Sequence, residues 1–411
     1  MKTNLLSVSE AREIILNAVT PSTPLGINPK DGLGFVLYED IFSNFNLPGF
    51  DNSSMDGFAV KSEDILKASK QSPISLKIIE DIPAGTFPQK TIQHGQASRI
   101  MTGAPLPQGA NAVVPVEYTN FSNRYSEKEL PDTILVYKYV HSDDFIRPIG
   151  QDLHIGQKIF SKGHFLRPQD IGMLAGLGIE KIFVYPRIRI GLLSSGDEII
   201  QPGEPLTPGK IYDINTPMLY SLLEQFGANV TKLGTAKDDY ELAYQHFQKA
   251  ENADIDLLVS SAGVSVGAYD PVRQIIQKHG KINFWRVNMR PGKPLAFGQY
   301  KNIPFIGLPG NPVSSFVTSC LFIKPLIFTW MGKTFSASSG EAVITESIES
   351  DGRESYMRTV IKNENGINSA FFPTHQGSGN IFSLVCANAL LIIPAGVKSL
   401  PKGSKAKFIE I

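Results

Sequence analysis

From residue 187 to 336 the chain alternates short apolar runs with helical segments, and this alternation limits the possible folds more than any other feature. The runs Ile188–Leu193, Asp256–Ser260 and Ile303–Leu308 are apolar along most of their length rather than at every second residue. Such strands are buried on both faces, as happens when helices cover both sides of a parallel sheet. Pro217–Phe226, Glu241–Asn252, Pro271–His279 and Pro312–Met331 read as the helices. Asn215-Thr216-Pro217 and Asn311-Pro312 each place a capping side chain before a proline at the first helical position. The expected fold class is multidomain α/β plus β, centred on a doubly wound α/β domain over 187–336.

The flanking segments have other textures. Ser7 and Glu10 form a capping-box pattern ahead of an amphipathic helix over Ala11–Val19. Residues 1–47 and 149–186, the latter with a helix at Arg167–Gly178, are expected to form a small, discontinuous N-terminal domain of helix and extended chain. Residues 48–148 read as an inserted β-rich domain, including a strand at Thr133–Val140 after the polar Asn120–Asp132 loop. Residues 337–411 read as a C-terminal β domain, with Asn365-Gly366 turning a hairpin between Met357–Lys362 and Ile367–Phe372.

Composition removes several classes of function. Lys plus Arg equals Asp plus Glu, a formal net charge of zero, which argues against bulk binding to nucleic acid or to an anionic membrane. Cys320 and Cys386 have no metal-ligand spacing and read as two buried thiols, and the seven histidines are scattered. The N-terminus lacks a signal-peptide pattern. Lys324 and Pro325 break the most apolar stretch, Cys320–Met331, so no bilayer-spanning segment is expected and the protein is expected to be cytoplasmic.

In a doubly wound sheet, ligands bind beyond the carboxyl ends of the strands. Three segments place glycine and serine there: Ser194-Ser195-Gly196-Asp197-Glu198, Ser260-Ser261-Ala262-Gly263-Val264-Ser265-Val266-Gly267-Ala268-Tyr269-Asp270, and Pro309-Gly310-Asn311-Pro312-Val313-Ser314-Ser315. Glycine lets the backbone approach a ligand, and a following helix N-terminus favours an anion. Any one of these loops is equally explained as a tight βα turn; three on one edge point to phosphate, carboxylate or another oxyanion. Asp197, Glu198, Asp213, Asp238, Asp239 and Asp270 share the region. Acids beside anion-binding loops suit Mg²⁺, which takes one or two carboxylates plus phosphate oxygens, although Asp238-Asp239 and Asp270 also suit helix capping. Arg290-Pro291-Gly292-Lys293-Pro294, with Arg286 before it, reads as a stiff oxyanion clamp or as an ordinary surface hairpin. Pro48–Val60, Met101–Pro105 and Arg147–Asp152 are explained, taken singly, by turn chemistry.

Taken together, the segments FDNSSMDGFAV, MTGAPLP, SSGDE, GVSVG, RPGKP and GLPGNPVS resemble the molybdopterin molybdenumtransferase family (MoeA in bacteria, the E domain in gephyrin-type proteins). The resemblance runs in order from about Leu47 to the C-terminus. The α/β part alone is less decisive, because the pathway's adenylyltransferase and CinA-type proteins carry related domains. The resemblance implies a homodimer of four-part subunits with a pterin-binding α/β domain and a C-terminal β-barrel-like domain. It implies insertion of molybdate into adenylylated molybdopterin, with Mg²⁺ and release of AMP, as the final step of molybdenum cofactor synthesis. The adenylyltransferase is an implied partner.

By the same resemblance Asp238 and Asp270 match positions tied to Mg²⁺ and substrate, and Glu198 matches a further acid. Asp56, Thr102 and Asp152 match functional positions that complete the pocket across the dimer. Arg290 and Lys293, joined by Ser314, Arg358 and Ser378, would hold molybdate or phosphate, properties that tungstate shares. Ser195, Gly196, Asp197, Asp213, Gly263, Ser265, Gly267, Pro309, Gly310, Asn311 and Pro312 would line the pterin and phosphate site. Gln151 stands where the family often has Glu, Ala262 where glycine is usual and Arg290 where Lys is commoner, and Arg147-Pro148-Ile149 carries fewer basic residues than usual. A pterin or nucleotide hydrolase and a non-catalytic scaffold remain the alternatives.

Overall fold

A computed structural model describes residues 5–20, 23–121, 130–263, 271–333, 335–336 and 338–411. The chain divides into two compact units, one made of 1–38, 163–171 and 180–411 and the other of 39–162 and 172–179. In the first unit the α/β elements are, in chain order, β1 (Arg189–Ser195), α1 (Asn215–Gln225), β2 (Asn229–Ala236), α2 (Tyr240–Asn252), β3 (Leu257–Ser261), α3 (Pro271–His279), β4 (Gly280–Arg286), β5 (Pro294–Tyr300), β6 (Ile303–Leu308) and α4 (Pro312–Thr318). The six-stranded sheet runs β2-β1-β3-β6-β5-β4. Ile190, Leu192, Val259, Ile306 and Leu308 pack towards α1 and α4, whereas Leu193, Leu258 and Phe305 pack towards α2 and α3. Burial on both faces is what the continuous apolar runs anticipated.

The sheet is parallel only through β6; β5 and β4 add antiparallel at the edge. The link from β5 to β6 is Lys301-Asn302, with Lys301 at φ +50, too short for a crossover helix. A second difference lies in Pro312–Trp330, a 19-residue helical rod that by length and composition could cross a membrane. Most of it is buried inside the protein, which accounts for its apolarity. Pro325 does not break it, because a π turn over Ser319–Ile323 precedes Lys324–Trp330 and leaves the missing proline N–H near the start of that last segment. Cys320 in that turn is buried and its thiol is pushed up to about 12 by burial, but Cys386 is only half-buried.

The capping box at Ser7 and Glu10 forms as expected and starts a Val8–Asn17 helix that buries Ala11 and Ile15. In the C-terminal segment, Ser339–Ile344, Glu354–Glu364, Ile367–Phe371, Ala389–Ile393 and Lys405–Glu410 close into a five-stranded barrel. Asn365 and Gly366 turn its long hairpin at φ +53 and +80. In the second unit, Ala112–Pro115, Gly57–Val60, Gln96–Ile100, Ile74–Ile82 and Thr133–Val136 form one sheet in that order. Its last strand stops short of Val140, since Tyr137 N–H leaves the ladder for Tyr118 O at 2.7 Å.

Candidate functional site

The chain runs from β1 out to β2 and then crosses back to β3 on the other side of β1, so the connections from β1 and β3 diverge and open a crevice at their carboxyl ends. There the three glycine-serine loops touch. A side chain on Gly263, at φ +75, would meet Ser195 Oγ at 3.1 Å, and one on Gly310 would meet Ala262 Cβ at 3.4 Å. Ala262 itself holds φ +71, so this alanine adopts the backbone conformation that glycine takes most easily. Gly196 sits at φ +137, and the Glu198 carboxylate occupies the space that a side chain there would fill, 2.7 Å away.

The resulting cleft has a volume of ≈ 430 Å³, and Ser195, Glu198, Asp213, Gly263, Gly310 and Ser314 are on its wall with Pro309, Asn311 and Pro312. Among the described residues six buried side-chain polar atoms lack a hydrogen bond, and four belong to this region: Asp213 Oδ2, Asn215 Oδ1, Thr216 Oγ1 and Ser261 Oγ. Buried polar groups almost always find partners, so this concentration marks a surface built for a ligand's hydrogen bonds. Sequence reasoning chose Asp213 but read Asn215 and Thr216 as a helix cap. In the structure Asp213 Oδ1 accepts Thr216 N–H at 2.9 Å, and Asn215 Nδ2 donates to Gly310 O at 2.7 Å, tying α1 to the third loop.

The paired acids separate into two roles. Asp239 caps α2 by accepting Leu242 N–H at 2.9 Å. Asp238 donates its N–H to Asp197 Oδ1 at 3.3 Å, while its own exposed carboxylate has no hydrogen bond among the described residues. Asp270, Ser265 and Gly267 lie outside the described residues. Among those described, no three His, Cys, Asp or Glu side chains cluster as a complete metal cage.

A second cavity, ≈ 490 Å³, shares Pro294, Asn311 and Ser314 with the cleft and so adjoins it. Arg290, Lys293, Arg353, Arg358 and Ser378 line it. The Arg290–Lys293 segment joins β4 to β5, so the hairpin reading is correct, and the hairpin also presents the cations. Met289-Arg290 pairs with Glu354-Ser355 of the barrel, and Gly292, at φ +102, passes so close to Thr318 that a side chain would lie 2.6 Å from its methyl.

Arg358 is only 2% exposed. Its Nε donates to Ser383 Oγ and its Nη2 to Gly377 O, each at 3.0 Å, and no carboxylate pairs with it among the described residues. Burial, with Arg290 nearby, pulls its basicity down to about 10. A buried cation with no counter-ion is costly, and an anion entering this cavity would remove the cost. Arg353, which sequence reasoning missed, is held by Asp351 and by Met289 O at 3.1 Å. Its guanidinium holds the Asp351 carboxyl down at about 2. The Asp351-Gly352-Arg353 run reads locally as a charged turn, and only its packing shows that it faces the cavity. Asn311 bridges the two cavities: its backbone begins α4, but its side chain donates to Ser378 Oγ at 3.0 Å instead of capping.

In the second unit Thr102 brings both its N–H (2.8 Å) and its hydroxyl (2.7 Å) to Asp56 Oδ1, so these two expected residues do meet. Asp152 lies exposed on a loop whose backbone returns to Leu47, its N–H donating to Leu47 O at 2.9 Å.

A ligand with a polar body and an oxyanion end would satisfy the hydrogen-bonding cleft and the cationic cavity together. Comparison with known proteins points the same way. Residues 6–178 match the MoeA N-terminal region (domain I and II), 191–329 a probable molybdopterin binding domain, and 341–411 the MoeA C-terminal region (domain IV). A Mycobacterium tuberculosis protein named molybdopterin molybdenumtransferase 2 is 34% identical over 98% of this chain and 99% of its own length. The Bacillus subtilis molybdopterin molybdenumtransferase is 31% identical over 93% and 88%. The crystal structure of a molybdopterin biosynthesis MoeA protein from Pyrococcus horikosii superposes with a TM-score of 0.81 at 29% identity, covering 99% of both chains. With the same three regions in the same order and a full-length match, this chain belongs to the molybdopterin molybdenumtransferase (MoeA) family of transferases in molybdenum cofactor biosynthesis.

Proposed function

We propose that this protein inserts molybdate into adenylylated molybdopterin with Mg²⁺-dependent release of AMP, the last step in making the molybdenum cofactor. The observation that carries the reading is a pair of adjoining cavities with two chemistries, an unsatisfied hydrogen-bonding wall and a cation-lined cavity in which Arg358 has no carboxylate partner among the described residues, meeting at Asn311 and Ser314. Asp213, Asn215, Thr216 and Ser261 would hold the polar organic body, and the glycine loops would admit phosphate oxygens. Arg358, Arg290, Lys293 and Ser378 would hold molybdate and present it to the dithiolene, so that much of the rate comes from positioning. Glu198, folded over Gly196, would fix that loop against the substrate.

The donor chemistry suits Mg²⁺: Asp238 offers a hard, unengaged carboxylate beside Asp197, and Asp270 is the expected second ligand. The ion would stabilise negative charge on the departing AMP. A cytoplasmic homodimer completes the proposal, with Asp56, Thr102 and Asp152 as the second copy's contribution and the adenylyltransferase as the supplier of substrate.

The test is reconstitution of purified protein with adenylylated molybdopterin and Mg²⁺, with molybdate present or omitted. AMP release and active cofactor that both require molybdate and are abolished by chelating Mg²⁺ are the expected outcome. AMP release indifferent to molybdate would instead make the protein a hydrolase, and binding without turnover would make it a scaffold.

A further inference from the structure

We infer that the protein has a second ligand site, remote from the substrate cleft, that takes a small monocarboxylate with an aromatic body. It is a cavity of ≈ 410 Å³ at the far end of α1 and along the middle and end of the Pro312–Trp330 rod. α1 begins in the substrate cleft with Asn215 and reaches this cavity with Leu222, Glu224, Gln225 and Phe226. From Asn215 to Leu222, the first of these, the helix rises roughly 10 Å, at about 1.5 Å per residue.

The walls combine two features that seldom occur together. Phe165, Phe226, Phe316, Phe328 and Met331 make them apolar, and Arg187, Lys324 and Lys333 make them cationic. Each cation rests against an aromatic ring: Arg187 against Phe35 at 4.9 Å, Lys324 against Phe226 at 5.2 Å and Lys333 against Phe165 at 4.5 Å. None pairs with a carboxylate among the described residues. The acidic side chain on the wall, Glu224, accepts Val230 N–H at 2.8 Å, and among the described residues no ion pair joins Ile411, also on the wall, to these cations.

Arg187 Nε is fully buried with no hydrogen-bond partner, a donor left over for a ligand. Burial also lowers the basicity of Lys333, a cost that a bound anion would relieve.

Both features are needed to choose the ligand. An inorganic oxyanion would satisfy the cations but leave the aromatic walls wet; a neutral apolar molecule would fill the walls but bury the cations unpaired. An aromatic carboxylate satisfies both, and the volume falls in the range of small-molecule pockets, about 300–1,000 Å³.

The experiment is calorimetric titration of the full-length protein with 2-naphthoate and, as the neutral control, 2-naphthalenemethanol, in saturating inorganic phosphate to fill the basic cavity. Naphthoate should bind once per chain, and the alcohol and the Lys324→Gln/Lys333→Gln variant should each bind about tenfold more weakly, a loss of about 1.4 kcal/mol. Turnover with adenylylated molybdopterin should be unchanged in that variant, which separates this proposal from the assigned activity. Equal binding of acid and alcohol, or no binding to protein that still melts cooperatively, would each overturn it. Arg187→Gln, which keeps a neutral donor, should weaken naphthoate binding without altering the affinity for the alcohol.

Discussion

The two halves of the proposed substrate site are neighbours built on opposite principles. The cleft at the ends of β1, β3 and β6 is made of the loops that follow these strands, and it is marked by hydrogen-bonding atoms left without partners. The cavity beside it is assembled from the β4–β5 connection and the C-terminal barrel, and its selectivity lies in charge. Each buried hydrogen-bonding atom left without a partner costs about 1–3 kcal/mol. A guanidinium without a carboxylate partner, such as that of Arg358, is held by Ser383 and Gly377 but remains charged. The contrast suggests that the cleft reads the shape of an organic body, whereas the cavity waits for an anion.

The largest effect should come from removing the buried charge. Arg358→Ala should lower molybdate-dependent kcat/KM by roughly 10²–10³, about 3–4 kcal/mol of lost electrostatic stabilisation, with a higher half-saturating molybdate concentration. Affinity for adenylylated molybdopterin should change little, and a parallel loss of both affinities in titration would break the division between the halves.

The reciprocal change is smaller. Asp213→Asn keeps an oxygen for Thr216 N–H but replaces the orphaned acceptor with a donor. Binding of adenylylated molybdopterin should weaken about tenfold, roughly 1.4 kcal/mol for one buried hydrogen bond to a charged group, while the molybdate requirement stays fixed. Kinetics with each substrate varied in turn would show whether the two constants move separately.

The smallest effect distinguishes two adjacent acids. Asp239→Ala should cost about 1 kcal/mol of stability through loss of the α2 cap and leave turnover unchanged. Asp238→Asn should leave the melting temperature unchanged and raise the Mg²⁺ concentration needed for activity. Chemical denaturation together with a Mg²⁺ titration measures both, and a stability loss in the Asp238 variant would reassign that residue to structure.

Much of this was legible without coordinates. The runs at Ile188, Asp256 and Ile303 declared a buried sheet because strands buried on both faces have little use for polar residues. The Asn365-Gly366 turn and the Ser7/Glu10 cap were readable because they depend on backbone conformations within a few residues. The glycine-serine loops were readable as a candidate anion site for the same local reason.

Other features were not local. Asn215 and Asn311 looked like caps, yet their amides reach Gly310 and Ser378. Arg353 looked like a turn residue, and Pro325 looked like a helix breaker until a π turn accommodated it. What the sequence determined by itself was the α/β pattern, three of its six strands and the residue types at their ends, since hydrophobic period, glycine and capping act over a few residues. Tertiary structure alone decided which charges are buried, which polar atoms lack partners, and how the barrel meets the β4–β5 connection. Burial and dielectric belong to the packed surroundings, so an arginine in the sequence has no environment until the chain has folded around it.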